Sequence, residues 1–350
     1  MKIVKWNGKA KEIFMGIDVH ERTWRVSVHC EGEELENREL PAEFKHLRRF
    51  LDRYEGTPTR AVYEAGPFGY GLYDGLKAAG VEAIVTPPSK IPMESGDRVK
   101  TDGRDSRKLA HLLSCGLLKS VPVPDQRRRE DRELLRTREQ VVRHRRHVFQ
   151  QILSKLRFHG LPTRFRAMIS RGKREEILGN PGLKGSLRYS FEALLDGYDY
   201  LTGQLKKFRE RVLLLAELKD YARSVGILRS IPGVGLLTAL SWLLELPEME
   251  AFESNEKLGS YLGLTSSEYS SGENRRQGRI TRCGNNRIRG LLVQCAWRTI
   301  GGDPVMGKFY ERIKRRRGGN RAIVAVARKL SGRMRTILLK GELYSVGLAQ

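Results

Sequence analysis

The sequence predicts an α/β domain over residues 1–122, a long helical segment over 123–222 and a mainly helical domain over 223–350. Three observations predict this organisation. Strand and helix patterns alternate up to about residue 122. Apolar residues then recur every seven positions. Beyond residue 223, helical patterns are separated by glycine-containing turns.

The first strand is the apolar run from Phe14 to Val19, broken by Asp18. Trp24, Val26 and Val28 then alternate with Arg25, Ser27 and His29, as in a half-buried strand. The connection "HERT" between them is short enough for a hairpin, and "ELENREL" supplies a third strand. In "EFKHLRRFLDRY", Phe44, Leu47, Phe50 and Leu51 fall on one side of a helix. "RAVYEAG" reads as a strand, "YGLYDGLKAAG" as a helix ended by Gly80, and "VEAIVTPP" as a strand stopped by prolines. A hairpin followed by alternating helix and strand predicts a mixed sheet with helices on its faces.

The character changes at about Asp125. Leu135, Val142, Phe149 and Leu156 recur at heptad spacing. After Pro181, Leu194, Tyr198, Leu201, Leu205, Phe208, Val212 and Leu215 alternate in steps of four and three. Such a seam suits an antiparallel hairpin or an intermolecular coiled coil. The third region opens with "LRSIPGVGLLTALSWLLEL", where Gly233 and Gly235 lie between two helical patterns. A Gly-x-Gly turn ahead of a helix presents backbone N–H groups to a phosphate, or simply joins two helices. The region ends in an apolar-periodic helix, "AIVAVARKLSGRMRTILL".

The chain has 350 residues with 65 Lys+Arg against 41 Asp+Glu, a formal charge of +24. An excess of this size points to a polyanionic partner, because Lys and Arg displace the counterions condensed on nucleic acid. Cys30, Cys115, Cys283 and Cys295 form no C-x-x-C pair. A zinc site is therefore not expected, and reduced thiols in a cytosolic setting are. No apolar run reaches the ~20 residues that cross a bilayer, and the N-terminus shows no secretory pattern. The expected location is cytoplasmic, at the nucleoid, with no membrane partner.

Four acids stand out in the first domain. Asp18 interrupts an apolar strand, where a carboxylate is costly unless paired or bound to metal. Glu64 closes a later strand, and strand ends are where α/β sheets build sites. In "TDGRDSRKLAHLL", Asp102 and Asp105 share one face of a helix start. Together the four suit one or two Mg²⁺ ions and phosphoryl transfer. Singly, each has an ordinary role: Asp102 as a helix cap, Asp105 in a solvent ion pair, Glu64 as a strand end beside water.

In the C-terminal domain, "YLGLTSSEYSSGENRRQGRITRCGNNRIRGLL" sets Ser270 and Ser271 ahead of Arg275, Arg276, Arg279, Arg282, Arg287 and Arg289. Arginine forks match phosphate oxygens and the charge of a pentacoordinate transition state. A serine there either attacks phosphorus or only donates hydrogen bonds to a bound phosphate.

"GIDVH", "YEAG" and "TDGRDSRKLA" resemble the N-terminal domain of DEDD-type insertion-sequence transposases, the family that includes Piv-like DNA invertases and bridge-RNA-guided recombinases. "LGLTSSEYSSGENRRQGRITRCGNNRIR" resembles the family's second block, with Ser266 where proline often stands. The resemblance implies an RNase H-like fold similar to Holliday-junction resolvases for the first domain, followed by a coiled coil and a helical transposase domain. It implies that Asp18, Glu64, Asp102 and Asp105 are the metal-binding tetrad and Ser271 the nucleophile, with Ser270 its neighbouring substitute. It further implies element-end and target DNA as partners, a structured bridge RNA as guide, a homodimer or homotetramer, and active sites shared between subunits. Two other readings of the residues stay open: a metal-dependent junction nuclease using water, and a non-catalytic nucleic-acid-binding scaffold.

Overall fold

The computed structural model describes residues 11–92, 102–161, 169–271 and 274–347, in two compact units, 1–123 and 124–350. The first boundary coincides with the composition change. The second unit unites the long helices with the C-terminal helices, across the boundary the sequence suggested at residue 222. The reason is that the long helices give residues to the C-terminal core, as described below.

Unit 1 carries a five-stranded sheet. β1 (Ile13–Val19), β2 (Thr23–Cys30) and β3 (Glu33–Pro41) form an antiparallel meander. It is followed by α1 (Phe44–Leu51), β4 (Thr59–Glu64), α2 (Gly71–Ala78), β5 (Glu82–Thr86) and α3 (Asp102–Ser114). The strand order is β3-β2-β1-β4-β5, with β4 parallel to β1 and β5 parallel to β4. The mixed sheet expected from the alternation is therefore present.

Strand residues alternate between two faces. Ile13, Met15, Ile17, Val26, Val28 and Tyr63 enter the larger core, where Leu47, Phe50 and Leu51 of α1 and Leu72 and Leu76 of α2 meet them. The opposite face packs Phe14, Val62 and Ile84 under Leu109 and Leu113 of α3. The central strands are thus covered on both sides, which is why β1 reads as an almost unbroken apolar run.

The α3 face also buries polar residues. Glu34 accepts two bonds from Arg107 Nε, at 2.8 and 3.0 Å. His29 is buried, with both ring nitrogens lacking a partner among the described residues, and its ring centroid lies 6.5 Å from that of His111. Burial holds its pKa below the ordinary 6.5; Glu34 opposes this, and His111 and Arg107 add to it. The unfolded chain takes up a proton near the ordinary value, and the folded chain only at lower pH. Stability is therefore full above the unfolded value and falls as pH drops from there toward the folded one. The protection of the unit 1 amides against hydrogen exchange, taken relative to their intrinsic rates at each pH, is expected to fall as pH drops below the ordinary 6.5, and His29→Gln to flatten that dependence.

Unit 2 begins with α4 (Gln126–Phe158), whose first turn is capped by Asp125 accepting from the Arg128 N–H at 2.8 Å. It continues with α5 (Arg171–Leu178), α6 (Gly185–Glu217), α7 (Lys219–Arg229), α8 (Leu236–Glu245) and α9 (Asn255–Tyr261). A β-hairpin of β6 (Ser266–Ser271) and β7 (Asn274–Ile280) follows, then α10 (Asn286–Gly302), α11 (Pro304–Arg317) and α12 (Gly319–Lys340).

Helices α4 and α6 run antiparallel along the heptad seam. Phe149, Ile152 and Leu156 share one cluster with Phe191, Leu195 and Tyr198. Leu135 shares the C-terminal core with Val212 and Leu215, together with Trp242, Leu292 and Leu330. The two ends of the predicted seam thus pair within one chain, in an antiparallel pair of helices.

That core is held at its far end by a buried triad. Asp303 caps α11, accepting from Val305 and Met306 N–H groups at 2.9 and 3.2 Å, and also accepts from Arg333 of α12 at 2.7 Å and from Tyr344. Among the described residues, no helix is long and apolar enough to cross a membrane.

Candidate active site and nucleic-acid interface

Phe14, Gly16 and Asp18 occupy the face of β1 that α3 covers. The β1–β4 register sets Ile17 opposite Tyr63, so the next pair, Asp18 and Glu64, stands side by side at the carboxyl ends of adjacent parallel strands. Glu64 follows Val62 by two residues and shares its face. Glu64 is exposed, whereas the Asp18 side chain is only 20% exposed and is met by His20 Nε2 at 3.1 Å.

Helix α3 crosses β1 at Gly16. A Cβ built there would lie 2.1 Å from the Ser106 carbonyl oxygen and 2.4 Å from the Ala110 nitrogen. The helix runs antiparallel to the strand: Leu109 and Leu113 pack beside Phe14, and Gly103 approaches Arg25, which is paired opposite Asp18. Its first turn therefore comes to the Asp18 end. Asn37 fastens it there, donating to the Gly103 carbonyl at 3.4 Å and to Ser106 Oγ at 3.3 Å while accepting from Arg25 Nε at 2.6 Å. Asp105 is half-buried, four residues before Leu109 and so on the sheet-facing side. Asp102 opens the helix, and its side chain lies outside what the structure describes.

The fold therefore gathers Asp18, Glu64 and the acidic turn of α3 at one end of the sheet. Their carboxylate oxygens are the donors a hard divalent cation takes. Among the described residues, no three His, Cys, Asp or Glu side chains converge closely enough to hold a metal ion. His20 engages Asp18 directly, a contact the sequence reading missed although "GIDVH" places it two residues on.

Ser270 and Ser271 end β6, in a two-stranded sheet that joins no other described strand. Ser270 pairs with Arg275, Ser271 with Asn274 and Tyr269 with Arg276. Gly272 and Glu273, which link the strands, lie outside the described residues, as do the side chains of Ser270, Ser271, Arg275 and Arg276. The segment that carries the serines and arginines is thus a ribbon with the serines at its tip.

The ribbon's base is pinned by two backbone crossings. A Cβ at Gly263 would meet the Cys283 carbonyl oxygen at 2.2 Å, and one at Gly284 the Tyr261 carbonyl oxygen at 1.9 Å, both at positive φ. Only glycine allows either approach. Arg289 adds a clamp, donating to the Leu262 and Cys283 carbonyls at 2.8 and 3.1 Å.

Behind the base lies Glu245, buried at the end of α8. Arg136 grips it with two bonds of 2.8 Å, and Asn285, the cap of α10, donates to it at 3.2 Å. Arg132 and Arg287 stand 3.8 and 3.7 Å away. Arg287 also pairs with Glu139. Arg287 and Arg289, read from sequence as phosphate contacts, are therefore engaged by protein groups, whereas Arg279 and Arg282 are exposed.

Gly233 turns the chain at φ +91° and packs against α10, where a Cβ would lie 2.9 Å from the Cys295 carbonyl oxygen. Gly235 is exposed and forms the N-cap of α8, with no side chain capping the turn. Both line a cavity of about 550 Å³.

Residues 225–311 match the model of the transposase IS116/IS110/IS902 family, and residues 15–160 match a DEDD transposase model of IS110 type. The chain is 35% identical over 306 residues to "Putative transposase y4qE" of Sinorhizobium fredii, covering 85% of this chain and 74% of that protein. It is 28% identical to the transposase for insertion sequence element IS1533 of Leptospira borgpetersenii, over 93% and 95% of the two chains. The transposase for insertion sequence element IS1111A of Coxiella burnetii is 27% identical, over 71% and 69%.

Proposed function

Because the chain belongs to the IS116/IS110/IS902 family of insertion-sequence transposases, we propose that it cuts and exchanges DNA strands through a covalent phosphoserine–DNA link formed by Ser271. The observation that carries this reading is the gathering of Asp18, Glu64 and the first turn of α3 at one sheet end.

Asp18, Glu64, Asp102 and Asp105 would hold one or two Mg²⁺ ions. When bound, such an ion neutralises charge on the phosphate and lowers the pKa of a nearby hydroxyl. The first-turn N–H groups of α3 add positive potential at the same end. Ser271 Oγ attacks phosphorus as its proton leaves; the new O–P bond replaces the bond to one DNA oxygen, which departs with a proton. A hydroxyl from the partner strand then attacks the same phosphorus and returns the serine. Each step exchanges one phosphoester for another, so no ATP is needed. Arg275, Arg276, Arg279 and Arg282, on or beside the ribbon, would stabilise charge on the transferring phosphate. Arg287 and Arg289 would position the ribbon from beneath.

The +24 charge supports binding of both element-end and target DNA. Likeness to bridge-RNA-guided members extends the proposal to a structured guide RNA and to a homodimer or homotetramer. Gly235, at an exposed helix start, would contribute to nucleic-acid binding; Gly233 shapes the turn.

The test is incubation with supercoiled DNA carrying element ends, followed by denaturing separation of protein–DNA adducts and mass spectrometry of the modified peptide. Wild type is expected to yield an adduct on Ser271. Ser271→Ala is expected to lose the adduct and to cut at least ~10³-fold more slowly, with Ser270→Ala retaining both. Undiminished cutting by Ser271→Ala without any adduct would establish water as the nucleophile.

A further inference from the structure

The cavity beside Gly235 is walled by helices from distant parts of unit 2. Arg138 reaches it from α4, Arg209 from α6 and Arg298 from α10, and its apolar wall includes Leu205, Leu236 and Leu291. No acidic side chain is among the residues that line it. Among the described residues, no carboxylate lies within ion-pair distance of any of the three arginines.

Arg138 is half-buried, and burial lowers its pKa, with Arg145 adding to the effect. Partial burial of a guanidinium without a counter-charge costs free energy that a bound anion returns. The remaining polar lining is Gln294, Thr238 and Cys295, of which Thr238 Oγ1 and Cys295 Sγ are 3.3 Å apart and bond to each other. The first turn of α8 opens at the same cavity without a side-chain cap, which adds favourable potential for an anion.

We propose that this cavity is a nucleotide seat: the three guanidinium groups hold one phosphate, and the leucine wall receives the attached base. Arg209 and Arg298 are exposed; three forks closing on a single anion would match the planar, multiple bonding of arginine to phosphate oxygens. The volume lies within the range that encloses small organic ligands. Apolar surface has no use for free phosphate, and it separates this cavity from a bare basic patch. The seat deepens the nucleic-acid reading above and rests on it only for its occupant being part of a polymer; a free nucleotide presents the same chemistry.

The test uses the full-length protein and two readouts. Thermal unfolding is followed with inorganic phosphate or with a nucleoside 5′-monophosphate. Binding of a labelled single-stranded oligonucleotide is followed by anisotropy over a range of salt. The monophosphate is expected to raise the melting temperature of wild type more than phosphate does, and Arg138→Gln and Arg298→Gln to lose that rise. Each of these variants is expected to bind the oligonucleotide about tenfold more weakly, the scale of one charged hydrogen bond, with the salt slope lowered by about 0.7 per phosphate released. Arg171→Gln, on α5 and 92% exposed, serves as the control for loss of one charge and should stay within about twofold of wild type. Pocket variants that behave like Arg171→Gln, or phosphate alone stabilising as well as the monophosphate, would overturn the seat. Neither readout involves strand cleavage. Monophosphate binding without adduct formation would leave the seat standing and remove the phosphoserine reading, and the converse result would do the reverse.

Discussion

Gly16→Ala is expected to abolish strand cleavage although it removes no acid, no arginine and no serine. The added methyl would lie 2.1 Å from the Ser106 carbonyl oxygen, 2.4 Å from the Ala110 nitrogen and 2.9 Å from Leu109 Cβ. Two of these are backbone atoms of α3, so no side-chain rotation relieves the clash. The helix must lift from β1, opening the small cluster of Val62, Leu109 and Leu113. Overpacking of this kind costs about 1–3 kcal/mol. The larger consequence is geometric. That contact, with the Asn37 bonds and the packing of Leu109 and Leu113, sets the acids of α3 at the Asp18 end of the sheet, and metal ligands tolerate displacements of only about 0.2 Å. Cleavage of supercoiled DNA and the melting temperature should be measured together. A folded variant with a lower melting temperature and cleavage reduced ~10²-fold or more is the expected outcome. Full cleavage would mean that the seating of α3 on β1 does not serve the reaction.

Glu245→Ala is expected to destabilise unit 2 by about 3–5 kcal/mol, the cost of breaking a buried ion-pair network from one side. Arg136, Arg132 and Arg287 converge on this one carboxylate, and removing it takes a negative charge from among three guanidinium groups, of which Arg287 keeps Glu139 and Arg132 the Leu244 carbonyl. Asn285 loses its acceptor as well, which loosens the cap of α10 and the root of the ribbon. Burial alone would raise the Glu245 pKa, but the bonds and charge of Arg136, with Arg132 and Arg287, bring it below the ordinary 4.5. The group is thus ionised when folded at a pH where the unfolded chain takes up a proton. Its stabilisation is present above the unfolded value and is lost as pH falls through the folded one. Denaturant unfolding should show a lower midpoint for Glu245→Ala at pH 7. Glu245→Gln, which keeps the shape without the charge, should lose this component of the acid sensitivity.

The sheet of unit 1 was legible because its patterns are local. Trp24, Val26 and Val28 alternate, Gly80 stops a helix, and the run from Phe14 to Val19 has the length of a buried strand. The juxtaposition of Asp18 with Glu64 follows once β1 and β4 are taken as parallel neighbours. The hairpin at 266–280 was not legible. Its residues are mostly serine, glutamate and arginine with no apolar alternation, so periodicity carries no strand signal. Its pairing comes from the backbone ladder and from the crossings at Gly263 and Gly284. The protein partners of Arg287 and Arg289 were not legible for a related reason. Glu139, Glu245 and the Leu262 carbonyl lie far away or belong to the main chain, and neither leaves a spacing to read. The arginines of the nucleotide seat come from three separate helices and have no common motif.

The ribbon also fixes a parity. Successive strand residues point to opposite sides and advance about 3.4 Å each. With the root immobile, inserting one residue into each strand would turn the side chain at the position of Ser271 to the opposite surface. Inserting two would restore its direction and carry it roughly 7 Å farther out. Reach and aim are therefore separately adjustable: the arm lengthens without turning in even steps, and an odd step would have to be absorbed by a bulge such as the one between Ser266 and Glu268.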